Sequence, residues 1–137
     1  MNPIRKIIDW RLPAVHAWQG SEAALQSEVV TRSLALAGEF EEIHLLHAIP
    51  SGDWRGWATG RKLKAQGVIP GIPDLFLPVP RAGFHGLYIE LKKASGAIKP
   101  DQWKIMEELH RQGYCVRISN DLLTTLVIIR DYLEELP

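Results

Sequence analysis

The sequence predicts an α/β fold in which a central mixed β-sheet is flanked by helices. Three observations predict it. Helix-like and strand-like segments alternate along the 137 residues, Gly and Pro separate them, and the hydrophobic content of 46% is that of an ordinary globular protein. A chain of this length corresponds to about one domain. We expect an N-terminal extension at residues 1–20 and a single domain at 21–137.

The helix predictions rest on apolar spacing and on residues that begin or end helices. Ser21 has the type and position of an N-cap, and Pro100 suits the first position of a helix that ends before Gly113. Asn120 is expected to cap the last helix. The predicted helices are 22–37, 59–66, 100–112 and 121–135.

The strand predictions rest on short β-prone stretches bounded by turn residues. The predicted strands are 42–49, 74–79, 86–92 and 114–119. The second and third are separated by a turn that we centre on Ala82. An antiparallel hairpin with that centre places residue 74 opposite residue 90.

The charge distribution is uneven although the net charge is zero. Residues 61–120 contain ten Lys or Arg and five Asp or Glu, whereas both flanking segments are acidic. A basic segment can hold a polyanion such as DNA on one face. A charge cluster is more commonly a solvated surface, so this observation is weak evidence when taken alone.

The composition argues against several classes of protein. Cys115 is the single cysteine, which excludes an internal disulfide framework and is consistent with a reducing compartment. No apolar run approaches the roughly 20 residues of a membrane-spanning helix, and the N-terminus has no signal-peptide core. There is no phosphate-binding glycine loop and no zinc-spaced Cys/His set. We expect a soluble cytoplasmic protein without a nucleotide cofactor.

Residues 71–92 contain the most informative chemistry. Glu90 and Lys92 are two apart on a predicted strand and therefore leave it on one face. In the predicted hairpin, Asp74 lies across from Glu90, with about 4.5–5.5 Å between Cβ atoms. Two carboxylates this close repel each other unless a cation such as Mg²⁺ lies between them. With Lys92 beside them, this pattern indicates metal-assisted phosphodiester hydrolysis. The alternative is a turn aspartate near a solvated Glu–Lys pair.

These residues resemble a known family. Pro73-Asp74 followed by Glu90-Leu91-Lys92 resembles the PD-(D/E)xK nuclease signature. From about residue 21 to 133, the chain is similar to the VRR-NUC (virus-type replication-repair nuclease) family, especially its small stand-alone phage proteins. The wider pattern comprises a helical Glu22 with Gln26, the basic loop RKLKAQGVIPGIPD, the IELKK strand and a helix carrying Gln102.

The resemblance implies a restriction endonuclease-like core and a DNA endonuclease that depends on Mg²⁺ or Mn²⁺. It implies that Asp74, Glu90 and the backbone carbonyl of Leu91 bind the metal. It further implies that Lys92 orients or activates the attacking water and stabilises the transition state.

The resemblance also implies an acidic residue on the first helix that completes the metal shell. Glu22 is the preferred candidate because it matches the family's E-x-x-(apolar)-Q pattern with Gln26. Glu28 remains the alternative. Gln102 resembles a polar helix residue that supports the lysine or a phosphate, although an exposed glutamine is the other interpretation.

The loop at 51–64 and the residue after the motif lysine are candidates for contacts with DNA phosphates. Trp54 and Trp57 are candidates for stacking on unpaired bases, or for ordinary packing. The basic candidates are Arg55, Arg61, Lys62, Lys64 and Lys93.

The family context implies structured DNA, such as branched or Holliday-type junctions, in phage replication, recombination or packaging. Junction cutting needs two active sites, which predicts a two-fold homodimer, with the N-terminal extension and the acidic last helix as interface candidates. Alternatives are a nicking or flap-type nuclease without a symmetric dimer and a DNA-binding module that does not cut. A further alternative is a structural or regulatory protein whose basic segment contacts an acidic partner.

Overall fold

The fold contains one five-stranded sheet and four α-helices in the part of the chain that the computed structural model describes, residues 6–50 and 57–136, with backbone only at 57–60. The strands are β1 (Ile8–Asp9), β2 (His47–Ala48), β3 (Leu75–Leu77), β4 (Leu87–Leu91) and β5 (Cys115–Ser119). The helices are α1 (Glu22–Ser33), α2 (Trp57–Ala65), α3 (Pro100–Arg111) and α4 (Leu122–Leu133).

The sheet is mixed, as the sequence predicts. The strand order is β1-β5-β4-β3-β2. Strand β5 pairs in parallel with both β1 and β4, whereas β3 pairs in antiparallel fashion with β4 and β2. The parallel β4–β5 connection runs through α3, which is the usual role of a crossover helix.

The hairpin between β3 and β4 has the predicted register. Leu75 pairs with Ile89 and Leu77 pairs with Leu87, so one further step places residue 74 opposite residue 90. Ala82 lies in the connecting turn with a φ of 49°. The register prediction is therefore confirmed, and it fixes which side chains meet where β4 ends.

The helix predictions are largely confirmed. The Ser21 hydroxyl accepts a hydrogen bond from the Ala24 amide at 3.1 Å, α3 begins at Pro100, and Gly113 follows its end with a φ of 94°. The predicted first helix changes to a 3₁₀ helix at Leu34–Gly38. No helix among the described residues is long and apolar enough to cross a bilayer.

Two predictions were wrong. In the predicted strand at 42–49, the first half belongs to a 3₁₀ helix, Glu41–Leu45, and the strand is limited to β2. Ile43 and Leu46, three residues apart, are both buried, and this spacing suits a helix with three residues per turn.

The cap of α4 was also misassigned, because Asp121 accepts the hydrogen bond from the Thr124 amide. Asn120 instead exchanges two hydrogen bonds with the backbone of Leu12. It thereby ties the N-terminal segment, which includes the unpredicted strand β1, to the end of β5.

The main core lies on the sheet face covered by α1 and α4. Leu25 and Val29 of α1 are fully buried in one cluster with Ile129 of α4. A smaller cluster on the other face joins Met106 of α3 to Val116 of β5. Packing on both faces fixes α1 and α3 relative to the end of β4.

We expect Leu25→Ala to destabilise the protein by about 2–5 kcal/mol, because it empties a buried site that anchors α1. Leu34→Ala is the matched control, since Leu34 is 54% exposed and its loss should cost less than about 0.5 kcal/mol. Urea unfolding measures both. Equal losses of unfolding free energy in the two variants would contradict the described packing of α1.

Candidate active site

A cleft of about 490 Å³ lies where β3 begins and β4 ends. It brings together side chains that are up to 80 positions apart in the sequence, from α1, the β3–β4 hairpin and α3. The predicted site residues that line it are Glu22, Asp74, Glu90, Lys92 and Gln102.

Asp74 is held by the backbone of the neighbouring strand. The Leu91 amide donates a hydrogen bond to Asp74 Oδ2 at 2.7 Å. This contact follows from the hairpin register, which sets Asp74 across from Glu90. It fixes the carboxylate of Asp74 at the cleft.

Burial and a neighbouring carboxylate strongly raise the pKa of Glu90. The residue is 2% exposed, and its Oε1 accepts a hydrogen bond from Gln102 Nε2 at 3.0 Å. Lys92 Nζ lies 3.7 Å from the same oxygen. Desolvation first, and then the charge of Asp74, raise the pKa of Glu90 to about 9, against the opposing effect of Lys92. The ionised form is therefore unstable here without further positive charge.

The second carboxylate oxygen of Glu90, Oε2, is buried and has no hydrogen-bond partner among the described residues. A buried acceptor without a partner costs about 1–3 kcal/mol. Carboxylate oxygens are ligands that Mg²⁺ prefers, so this donor set fits a hard cation.

Gln102 links the cleft to the start of α3. Its Oε1 accepts a hydrogen bond from the Lys99 amide at 2.8 Å, which caps the helix, while its Nε2 faces Glu90. Gln102 is buried, so the interpretation as an exposed glutamine was wrong. The described partner of its Nε2 is the Glu90 carboxylate, whereas the sequence prediction named the motif lysine or a phosphate.

The structure places Glu22, and not Glu28, at the cleft. Glu22 Oε1 accepts a hydrogen bond from the Lys93 amide at 3.3 Å. Glu28 instead pairs with Arg32 on the surface of α1 at 3.2 Å. Both glutamates lie on one helix, but only the first projects toward the β4 end.

Sequence reasoning missed Gly96, which lies between two of these side chains. A Cβ atom there would lie 3.0 Å from Glu22 Oε1 and 3.2 Å from Lys92 Cδ. Lys99 also lines the cleft and was not selected. The glycine in the ASGA stretch after the motif lysine was the available signal.

The predicted phosphate-binding residues are only partly within the described structure. Arg61, Lys62 and Lys64 are exposed on α2, and Lys93 is exposed beside the cleft. Arg55 and Trp54 lie outside the described residues, as does the side chain of Trp57.

Within the described ranges, no three His, Cys, Asp or Glu side chains stand close enough to enclose a metal ion. This does not conflict with the fit of the cleft to Mg²⁺. That ion is commonly held by one or two carboxylates and keeps several water ligands. Asp74 and Glu90 are the pair that the hairpin supplies.

The mixed sheet, with two carboxylates and a lysine at a hairpin end, defines an α/β nuclease-like fold. A model of the VRR-NUC domain matches residues 11–120, and the chain belongs to this family. A solved structure described as a VRR_NUC domain protein is 27% identical, with a TM-score of 0.70, covering 85% of this chain and 90% of that one. No curated protein matches the chain. VRR-NUC domains are nucleases, which gives this chain a nuclease-type function and suggests DNA as its substrate.

We expect the metal-free protein to lose stability as pH rises through the neutral range. The folded-state pKa of Glu90, about 9, lies above its ordinary value of 4.5. Its stabilising contribution is therefore complete below about pH 4.5 and is lost as pH rises toward 9. Glu90→Gln removes this titration and should raise Tm at pH 8 in EDTA by roughly 3–6 °C.

Glu28→Gln is the matched control, because Glu28 lies on the helix surface. Thermal unfolding between pH 5 and 9 measures all three proteins. If Tm changed with pH in the same way for the wild type and Glu90→Gln, the result would contradict the raised pKa that we assign to Glu90.

Proposed function

We propose that the protein is a DNA endonuclease that hydrolyses phosphodiester bonds with Mg²⁺ or Mn²⁺. One observation carries the proposal: the buried Glu90 has an unpartnered oxygen, a raised pKa and a neighbouring second carboxylate. A structural protein gains nothing from crowding two acids in this way. The crowding is useful if a cation binds there.

Asp74 and Glu90 are the proposed metal ligands, with the Leu91 carbonyl as a further ligand. Glu22 would complete the shell through water, since it lines the same cleft. A bound divalent cation supplies positive charge that stabilises the attacking and leaving oxygens of a phosphodiester. The two hydrogen bonds that already hold Asp74 and Glu90 keep their carboxylates in place beforehand.

Besides the metal ion, Lys92 is the proposed source of positive charge in catalysis. Its ammonium group lies beside Glu90 and is buried at the cleft, where it can hold the attacking water and neutralise phosphate charge. Gln102 positions Glu90, because its amide is locked between the helix cap and that carboxylate. We assign it no direct contact with substrate.

DNA phosphates would be held outside the cleft by the exposed basic residues. Arg61, Lys62 and Lys64 extend from α2, and Lys93 follows the catalytic lysine. Contacts of this kind set affinity and position without reading sequence. Arg55 is a further candidate from the sequence.

We further propose branched DNA as the preferred substrate and a two-fold homodimer as the working form. Symmetric cutting of a junction requires two sites related by a two-fold axis, and Asp74, Glu90 and Lys92 form a single cleft within the described part of the chain. The expected setting is the cytoplasm of a bacterium in which a phage replicates.

We expect the wild type to cleave DNA with Mg²⁺ or Mn²⁺ but not with EDTA. Asp74→Ala and Lys92→Ala should each lower the rate by more than about 100-fold, because the first removes a proposed metal ligand and the second removes positive charge that stabilises the transition state. Plasmid, duplex, single strand, flap and four-way junction are assayed in parallel. Paired symmetric cuts in the junction would support the dimer.

Lys104→Ala serves as the matched control, since Lys104 is exposed on α3 and outside the cleft lining. Asp74→Ala purified alongside the wild type also reports contaminating nucleases. Full activity of Lys92→Ala would overturn the assigned mechanism.

Separate Glu22→Gln and Glu28→Gln variants test which helical acid takes part in cleavage. We expect the first to lower kcat by about tenfold or more and the second to stay near the wild type, since Glu28 pairs with Arg32 away from the cleft. Initial rates on one substrate at several Mg²⁺ concentrations measure both. A larger loss in Glu28→Gln would contradict the site as assigned.

A further inference from the structure

A tight turn, residues 69–72, lies at one edge of the cleft. The Ile72 amide donates a hydrogen bond to the Ile69 carbonyl at 3.3 Å, with Pro70 and Gly71 between them. Gly71 has a φ of 84°, so proline and a positive-φ glycine occupy the central positions that a type II turn favours. Such a turn has little conformational freedom of its own.

The turn is also anchored on both sides. A Cβ atom at Gly71 would lie 2.7 Å from the backbone oxygen of Asp101, which shows that the turn packs directly on the first turn of α3. On its other side, the Val68 amide donates a hydrogen bond to the Leu63 carbonyl of α2 at 3.0 Å. The tip is therefore held between α2 and α3.

The residues at the tip are apolar and reach solvent. Ile69 is 48% exposed and Pro70 is exposed, whereas Ile72 lines the cleft. A single exposed isoleucine is ordinary on a protein surface. Here, however, its backbone is anchored by the turn, which adjoins the candidate active site and follows the basic helix α2.

We propose that Ile69 and Pro70 form a wedge that enters the substrate DNA at an unstacked base step beside the bond held in the cleft. This inference rests on the proposed function and deepens it, because it names what selects the substrate. Rigid apolar side chains can part neighbouring bases, at a cost of a few kcal/mol for a stacked step. That cost is lower where bases are unpaired or where the duplex stack is interrupted, as it can be at a branch point. The wedge therefore favours branched DNA over continuous duplex.

The test compares the wild type with Ile69→Ser, Ile69→Leu and the control Leu34→Ser. Leu34 is 54% exposed at the end of α1 and does not line the cleft. For each protein, kcat/KM is measured on a four-way junction and on continuous duplex of the same sequence. We expect Ile69→Ser to reduce the preference for the junction about tenfold, while Ile69→Leu and Leu34→Ser retain it.

A second measurement reports the wedge without cleavage. Each variant is placed in the Asp74→Ala background, which is expected to bind without cutting, and mixed with a junction carrying 2-aminopurine at the branch. The fluorescence of 2-aminopurine should rise on binding of a protein with Ile or Leu at position 69 and stay low with Ser at that position, because an unstacked 2-aminopurine is brighter.

Unchanged preference and unchanged fluorescence in Ile69→Ser would overturn the wedge and leave the nuclease assignment intact. An equal loss of junction preference in Leu34→Ser would also overturn the wedge, since the effect would not be local to the turn. Failure of the wild type to cleave any DNA with either metal would overturn both proposals together.

Discussion

The burial of one carboxylate, Glu90, is the constraint on which the rest of the site depends. It is removed from water, faces Asp74 and shares its Oε1 between Lys92 and Gln102. Its other oxygen has no partner in the described structure. The fold therefore holds a group that is unfavourable by itself, and such strain is common where stability is exchanged for function.

The arrangement of the sheet and the helices makes the burial of Glu90 possible. The hairpin register places Asp74 opposite Glu90. The crossover through α3 places Gln102 beside Glu90 on the sheet face that α3 covers. The core contacts of α1 fix Glu22 on the remaining side. Each contributing element is packed by residues outside the cleft, so the geometry does not depend on a ligand being present.

Much of this could be read from sequence because the relevant constraints are local. Strand pairing has a period of two, so a turn centred on Ala82 fixes the partners of a whole hairpin. The segment Glu41–Leu45 could not be assigned in this way, since a short apolar run fits a strand or a helix equally well. The Gln102–Glu90 contact depends on tertiary packing and has no local signature. The glycine of the ASGA stretch is visible in the sequence, but its close approach to Glu22 depends on tertiary packing.

We propose that the Asp74–Glu90 pair binds a divalent cation. The most direct measurement is a crystal structure of the protein with Mn²⁺, in which the ion is located by its anomalous scattering. We expect a peak in coordination contact with Asp74 and with Glu90 Oε2, the oxygen that lacks a partner in the described structure. A fully occupied peak elsewhere with this pair bare, or no peak at saturating Mn²⁺, would contradict it.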